Sequence, residues 1–254
     1  MTDCVLTEER EGVLVITLNR PEARNAVNEA VAGAVAAALD ELDRRADLSV
    51  GIITGAAPSF CAGMDLKAFL AGERPSVPGR GFAGIVERPP DKPMIAAVEG
   101  HAIAGGFEIA LACDLIVAAD NAVFGLPEVR RGLVAAGGGL LRLPLRAPYQ
   151  LAVEWALTGG HVPAARAAEV HLVNRLTPPG QALPTAIELA RTIAANGPLA
   201  VRATKRVLTE GGGWPAAEAF DRQREITEPV RASADAREGA RAFAEKRAPR
   251  WRGA

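Results

Sequence analysis

The apolar positions of this chain fall into two kinds of block. Short unbroken runs rich in β-branched residues recur through the first half, and longer stretches with a helical stripe lie between and after them. Val13 to Leu18 (V-L-V-I-T-L) is one such run and ends at Asn19-Arg20-Pro21, which predicts a strand followed by a turn. Val50 to Thr54 and Met94 to Val98 predict further buried strands, as do Asp114 to Ala119 and Ala122 to Phe124. Asn28 can cap an Ala-rich helix from Glu29 to Arg45, in which Val31, Val35, Ala38, Leu39 and Leu42 share one face. A second, almost wholly apolar helix is predicted from about Gly105 to Ala112. Gly72 to Pro90, rich in Gly, Pro and Arg, reads as a flexible excursion with at most a short helix. From Gly139 onward the pattern is mostly helical, with one short strand near Leu172 to Leu176.

Strands alternating with helices, followed by helices alone, predict an α/β fold with a helical C-terminal part. The break at Asn196-Gly197-Pro198 separates a core, residues 1–196, from a helical region, residues 197–254, although it could equally be an internal turn. With 254 residues, 49% hydrophobic and 23% charged, the chain can bury a substantial core. Its 29 Lys and Arg nearly balance 30 Asp and Glu, so no basic field exists to hold nucleic acid or an anionic membrane. A phosphate-bearing ligand would need a local site. Met1 to Arg10 lacks the charged start and apolar run of a signal peptide, and no apolar stretch reaches the ~18 residues of a membrane span. Cys4, Cys61 and Cys113 are an odd, widely spaced set that suggests a reducing compartment and no zinc or disulfide framework. A cytoplasmic enzyme is the expectation.

Two segments can carry chemistry: F-C-A-G-M-D-L at Phe60 to Leu66 and E-G-H-A-I-A-G-G-F-E at Glu99 to Glu108. Each places small residues after a predicted buried strand and before a predicted helix. Glycine there permits close approach of a ligand, and free N–H groups at a helix start favour negative charge. Two such donors aimed at one thioester oxygen would form an oxyanion hole. The same glycines would also suit tight strand-to-helix turns with no ligand. Gly100 to Gly105 and Gly132 to Gly137 match the glycine half of a phosphate loop, but neither continues into Lys and Ser or Thr. No nucleophile elbow or H-E-x-x-H zinc motif occurs.

Glu108 sits among Phe107, Ile109, Ala110 and Leu111, where a carboxylate is poorly solvated and needs a partner or a purpose. The competing reading is an exposed polar face of the helix. Glu128, in F-G-L-P-E, is by itself an ordinary acidic helix start after a proline. The two become chemically interesting if folding joins them around a water, and one of them should then have a raised pKa. His101 reads as pocket lining rather than a catalyst.

Together, F-C-A-G-M-D-L, I-A-A-V-E-G-H-A-I-A-G-G-F-E with the following A-C-D, and F-G-L-P-E resemble the successive signatures of the crotonase (enoyl-CoA hydratase/isomerase) superfamily. L-N-R-P-E-A-R-N-A-V near the start and E-G-A-R-A-F-A-E-K-R near the end extend the resemblance over essentially the whole chain. It implies a crotonase-like spiral of β-β-α units with a helical C-terminal oligomerisation region that builds a homotrimer or a dimer of trimers. The implied reaction adds water across the 2,3 double bond of a 2-enoyl-CoA thioester to give a 3-hydroxyacyl-CoA. By position the oxyanion donors are the backbone N–H groups of Met64 and Gly105, and the catalytic pair is Glu108 as base and Glu128 as acid near C2. Coenzyme A would bend around Ala62, Asp65 and Leu66, with Arg24 and Lys246 placed for its phosphates and nucleotide. Coenzyme A is part of the substrate, and no metal or redox cofactor is implied.

Three positions depart from the family pattern. Ala104 stands where glycine is frequent, and Ala135-Ala136 replace a more usual Pro-Gly beside the catalytic water. An enoyl-CoA isomerase or another acyl-CoA reaction reuses the same oxyanion hole. A non-catalytic acyl-CoA-binding protein would be expected to have lost a glutamate, and here both are kept.

Overall fold

The computed structural model of the protein describes residues 3–254. β1 (Val5–Arg10) and β2 (Val13–Leu18) form an antiparallel hairpin. α1 (Glu29–Arg44), β3 (Val50–Gly55), α2 (Leu66–Leu70) and a small hairpin of β4 (Ser76–Val77) and β5 (Gly81–Phe82) follow. Next come β6 (Met94–Val98), β7 (His101–Ile103), α3 (Gly105–Ala112), β8 (Leu115–Ala119), β9 (Val123–Gly125) and a 3₁₀ turn at Pro127–Arg131. The second half runs α4 (Gly139–Arg146), α5 (Tyr149–Thr158), β10 (Val162–Pro163), α6 (Ala164–Glu169), β11 (Arg175–Thr177), α7 (Ala182–Ala194), α8 (Pro198–Glu210), α9 (Ala219–Arg231) and α10 (Ala234–Ala244).

The main sheet has the order β1-β2-β3-β6-β8-β11 and is parallel from β2 onward. Its central strands are buried on both faces, which is why they read as continuous apolar runs rather than alternating ones. Leu14, Ile16 and Leu18 pack with α1 and α3, whereas Val13, Val15, Val50 and Ile52 pack with Ala186, Ile187 and Ala190 of α7. A second sheet, β10-β9-β7, lies beside the first. β6 turns into β7 and then α3, and β8 turns into β9 and then the 3₁₀ turn. The extended segment after β3 bridges Cys61 to Ala102 before entering α2. The repeating unit is therefore strand, short strand, helix, which is the β-β-α spiral.

Asn28 caps α1 through Val31 N–H at 3.1 Å, as the pattern predicts. β1 escapes the pattern reading because V-L-T-E-E-R lies on a sheet edge and is mostly exposed. The Gly72 to Pro90 stretch has no helix, within the expectation of at most a short one, and adds the β4–β5 hairpin, which the pattern does not predict. It is anchored by buried Arg80, which pairs with Asp40 and donates to the Arg88 carbonyl, and by the apolar side chains Ile85 and Val86. The predicted strand near Leu172 to Leu176 begins at Arg175. Among the described residues, no helix is long and apolar enough to cross a membrane.

Candidate active site

Three consecutive crossings from the main sheet deliver their connecting turns to one place. β7 and β9 are parallel neighbours, with Ile103 opposite Gly125, so the segments that leave them emerge side by side. Ala104 N–H donates to the Gly125 carbonyl at 2.8 Å and pins the two exits together. α3 then carries Glu108, and the 3₁₀ turn carries Glu128.

Ala104 has φ 54° and ψ −128°, a backbone conformation that favours glycine. Its carbonyl accepts from Phe107 N–H at 2.9 Å and Glu108 N–H at 3.1 Å, which starts the helix. The N–H of Gly105, the first helical residue, has no acceptor inside α3. The first loop packs directly on this turn. A Cβ on Gly63 would stand 3.0 Å from the Gly105 nitrogen, and one on Gly106 would run into the Cys61 carbonyl. Around Met64, Gly63 carbonyl accepts from Val27 N–H and Asp65 N–H donates to the Val27 carbonyl, at 2.8 and 2.9 Å. In that parallel bridge the N–H of Met64 itself faces away from Val27. The Phe82 ring closes the space beside Gly105: a Cβ there would lie 2.5 Å from its edge.

Glu108 is 4% exposed, which excludes the exposed-face reading. Its Oε1 accepts from Gly139 N–H at 3.0 Å, at the start of α4. A Cβ on Gly137 would lie 2.5 Å from its Oε2, so this turn has to be free of side chains. Burial pushes the Glu108 pKa up; the N–H groups of Gly139 and Gly137 and the charge of Arg142 pull part of that back. Glu128 is half-buried, with Oε2 enclosed and bonded to no group among the described residues. Its pKa is raised first by burial and further by the charge of Glu108, against its own backbone N–H and Arg131. Both carboxyls are therefore displaced upward, and Glu128 senses the charge of Glu108. Glu108 has donors for its ionised form, and Glu128 Oε2 has none, which favours a proton on Glu128.

The other sequence-derived positions spread outward from this centre. Ala62 N–H donates to the Arg24 carbonyl at 3.0 Å, so these two meet, with the Arg24 side chain exposed. The Asp65 carboxylate is occupied within the protein: Oδ1 caps α2 through Lys67 and Ala68 N–H, and Oδ2 accepts from Arg20 at 2.9 Å. Burial raises the Asp65 pKa, but the Ala68 N–H and the Arg20 charge outweigh it and leave the carboxyl below its usual range. Leu66 is exposed beside it. Lys246 is exposed just past α10, in the C-terminal helical layer. His101 is exposed on β7.

Four contributors were not singled out from the sequence. Arg20 ties Asp65 to the Ala26 carbonyl, and buried Asn25 donates to the Ala56 and Ser59 carbonyls at 2.8 and 2.6 Å. Both stand in the L-N-R-P-E-A-R-N-A-V string, where a polar residue amid an otherwise structural turn was the available signal. Phe82 carries no local signal, since Gly105 lies far along the chain, and Arg142, though it packs on nearby Gly138, reaches the distant Val86 carbonyl.

Comparison with known proteins agrees with this geometry. The sequence family described as enoyl-CoA hydratase/isomerase matches residues 8–254. The chain is 45% identical to enoyl-CoA hydratase EchA19 of Mycobacterium tuberculosis, over 97% of this chain and 95% of that protein. It is 42% identical to carnitinyl-CoA dehydratase of Salmonella typhi, over 95% of each. Its structure superposes on the crystal structure of an enoyl-CoA hydratase from Mycobacterium tuberculosis with a TM-score of 0.98 at 61% identity, covering 99% of this chain and all of that one. With the spiral, the paired loops and both glutamates in place, the chain belongs to the enoyl-CoA hydratase/isomerase family.

Proposed function

We propose that the protein is an enoyl-CoA hydratase. The observation that carries this reading is the unequal pair: Glu108 is buried and held by the Gly139 N–H, while Glu128 nearby has an enclosed, unpartnered Oε2. Hydration needs a base for the attacking water and an acid for C2, and these surroundings favour one carboxyl in each state.

The Met64 and Gly105 N–H groups polarise the thioester carbonyl and stabilise the enolate-like charge that develops there. Glu108, ionised, accepts a proton from water as its oxygen bonds to C3. The π electrons pass towards the thioester oxygen and return to form the C2–H bond with a proton from Glu128. The product is a 3-hydroxyacyl-CoA, and a proton passed from Glu108 back to Glu128 resets the pair. Coenzyme A lies along Arg24, Ala62 and Leu66, with Asp65 holding the shape of that loop and Lys246 serving the nucleotide. Residues 197–254 form the self-association region of a homotrimer or a dimer of trimers. In support, α8 and α9 contain no buried residue, and Leu208, Phe220 and Phe243 are exposed in this layer.

The test is a panel of 2-enoyl-CoA thioesters followed by mass spectrometry. A product heavier by one water supports hydration. Loss of the conjugated absorbance with unchanged mass would assign isomerisation instead.

A further inference from the structure

The site contains a cation that the reaction above leaves unused. Arg142, on the first turns of α4, is half-buried, and among the described residues no carboxylate lies within ion-pairing distance of it. Its backbone N–H donates to the Gly138 carbonyl at 3.0 Å, and its side chain folds back over the same residue. Gly138 has φ +87°, and a Cβ there would collide with Nη1 of Arg142. The guanidinium is thus packed against the middle of the Gly137–Gly139 turn, whose flanking residues touch Glu108. Its Nη2 donates to the Val86 carbonyl at 2.6 Å, in the segment that follows Phe82. One side chain therefore braces both the turn that holds Glu108 and the segment that walls Gly105.

Leaving a half-buried guanidinium unpaired is costly, and a neutral donor would satisfy Val86 equally well. We propose that Arg142 is a positioning residue of the catalytic pair, fixing the Gly137–Gly139 turn and keeping Glu108 in its ionised, proton-accepting form. This rests on the hydratase reading only for its catalytic consequence.

The neighbouring charges are consistent with that role. Glu108 is faced by Arg142 from α4, which favours its ionisation, and its charge in turn raises the pKa of Glu128 on the 3₁₀ turn. Arg142 is faced by Arg146 one turn on and by Cys113, whose thiol is pushed up to about 12 by burial and so stays neutral. A cavity of about 1060 Å³ behind Arg142 also carries Glu225, with Asp114, Asp91 and Glu210 paired to Lys205, Arg202 and Arg206. Asp91, Asp114 and Glu210 thus have cations of their own and Glu225 lines the cavity without one, while Glu108 is the carboxylate held by the turn on which Arg142 packs.

The experiment is an infrared titration of the Glu108 carboxyl, isolated by subtracting Glu108→Gln, in wild type, Arg142→Gln and Arg142→Lys. It needs no turnover, so failure of the hydratase reading would leave it intact. Without the positive charge the Glu108 midpoint should rise by about half a pH unit or more, and lysine should restore most of the difference. If the protein hydrates, the acid limb of kcat/KM should move in parallel. An unmoved midpoint in Arg142→Gln, or an equal shift in Arg142→Lys, would overturn the proposal. Should Arg142→Gln not fold, Arg142→Met, which retains the packing of the stem, is read by the same criterion.

Discussion

The backbone N–H of Gly139 donates to Oε1 of Glu108 at 3.0 Å, across 31 residues of sequence. Two residues earlier, Gly137 lies under the other carboxylate oxygen, close enough that a methyl group would sit 2.5 Å from Oε2. Gly137 lies outside the positive-φ set, so alanine fits the backbone, and the nearest atoms its methyl meets are those of the Glu108 carboxylate. Gly137→Ala should therefore fold normally and lower kcat by roughly 10- to 100-fold through displacement of Glu108. Steady-state kinetics beside a thermal melt would check this; a large loss of stability would mean that the glycine serves the turn instead.

The raised pKa values of Glu108 and Glu128 have a consequence for stability. A carboxyl whose folded pKa lies above its unfolded value stabilises the fold at low pH. That contribution is present in full below the unfolded pKa, near 4.3 for glutamate, and is lost as pH rises through the folded value. At neutral pH the pair is therefore a burden. Glu128→Gln should raise Tm by a few degrees at pH 8, with the gain shrinking towards pH 4. Melting curves across that range decide it, and a pH-independent difference would contradict the burial argument.

Ala104 offers a second route to stabilisation. It occupies φ 54°, ψ −128°, where a side chain costs on the order of 1–3 kcal/mol relative to glycine. Ala104→Gly should gain about 1 kcal/mol in denaturant unfolding and keep the Gly105 N–H in place. A destabilised variant would show that the methyl is needed for packing.

Asp65 acts oppositely. Its carboxylate caps α2 and pairs with Arg20, so Asp65→Ala should cost about 1–2 kcal/mol. Because its folded pKa is lowered, the wild-type advantage is present above the unfolded value near 3.9 and fades as pH falls through the folded one. Unfolding at pH 7 and pH 3 should show the difference closing.

How much of this was readable beforehand follows from the range of each contact. Gly105, Glu108 and the start of α3 were legible because a buried strand, small residues and an apolar helix are consecutive. Glu128 was ambiguous: its Pro-Glu context is common, and only the β7–β9 pairing brings it beside Glu108. Phe82 against Gly105 could not be read locally, nor could the link from Arg142, through its neighbouring glycine turn, to Glu108 and Val86. The first contact spans distant elements, and the segment carrying Phe82 is ordered by tertiary anchors such as Arg80 and Val86 rather than by its own composition. β1 was missed because an exposed edge strand carries charges where an interior strand carries valines.

The most direct test of the two-glutamate mechanism is the rate of loss of the conjugated enoyl absorbance with wild type, Glu108→Gln and Glu128→Gln on the best 2-enoyl-CoA of the panel. Rapid hydration by wild type, with a loss of roughly 10²- to 10⁴-fold in each variant and little change in binding, is the predicted result. Near-wild-type rates in either variant would contradict it.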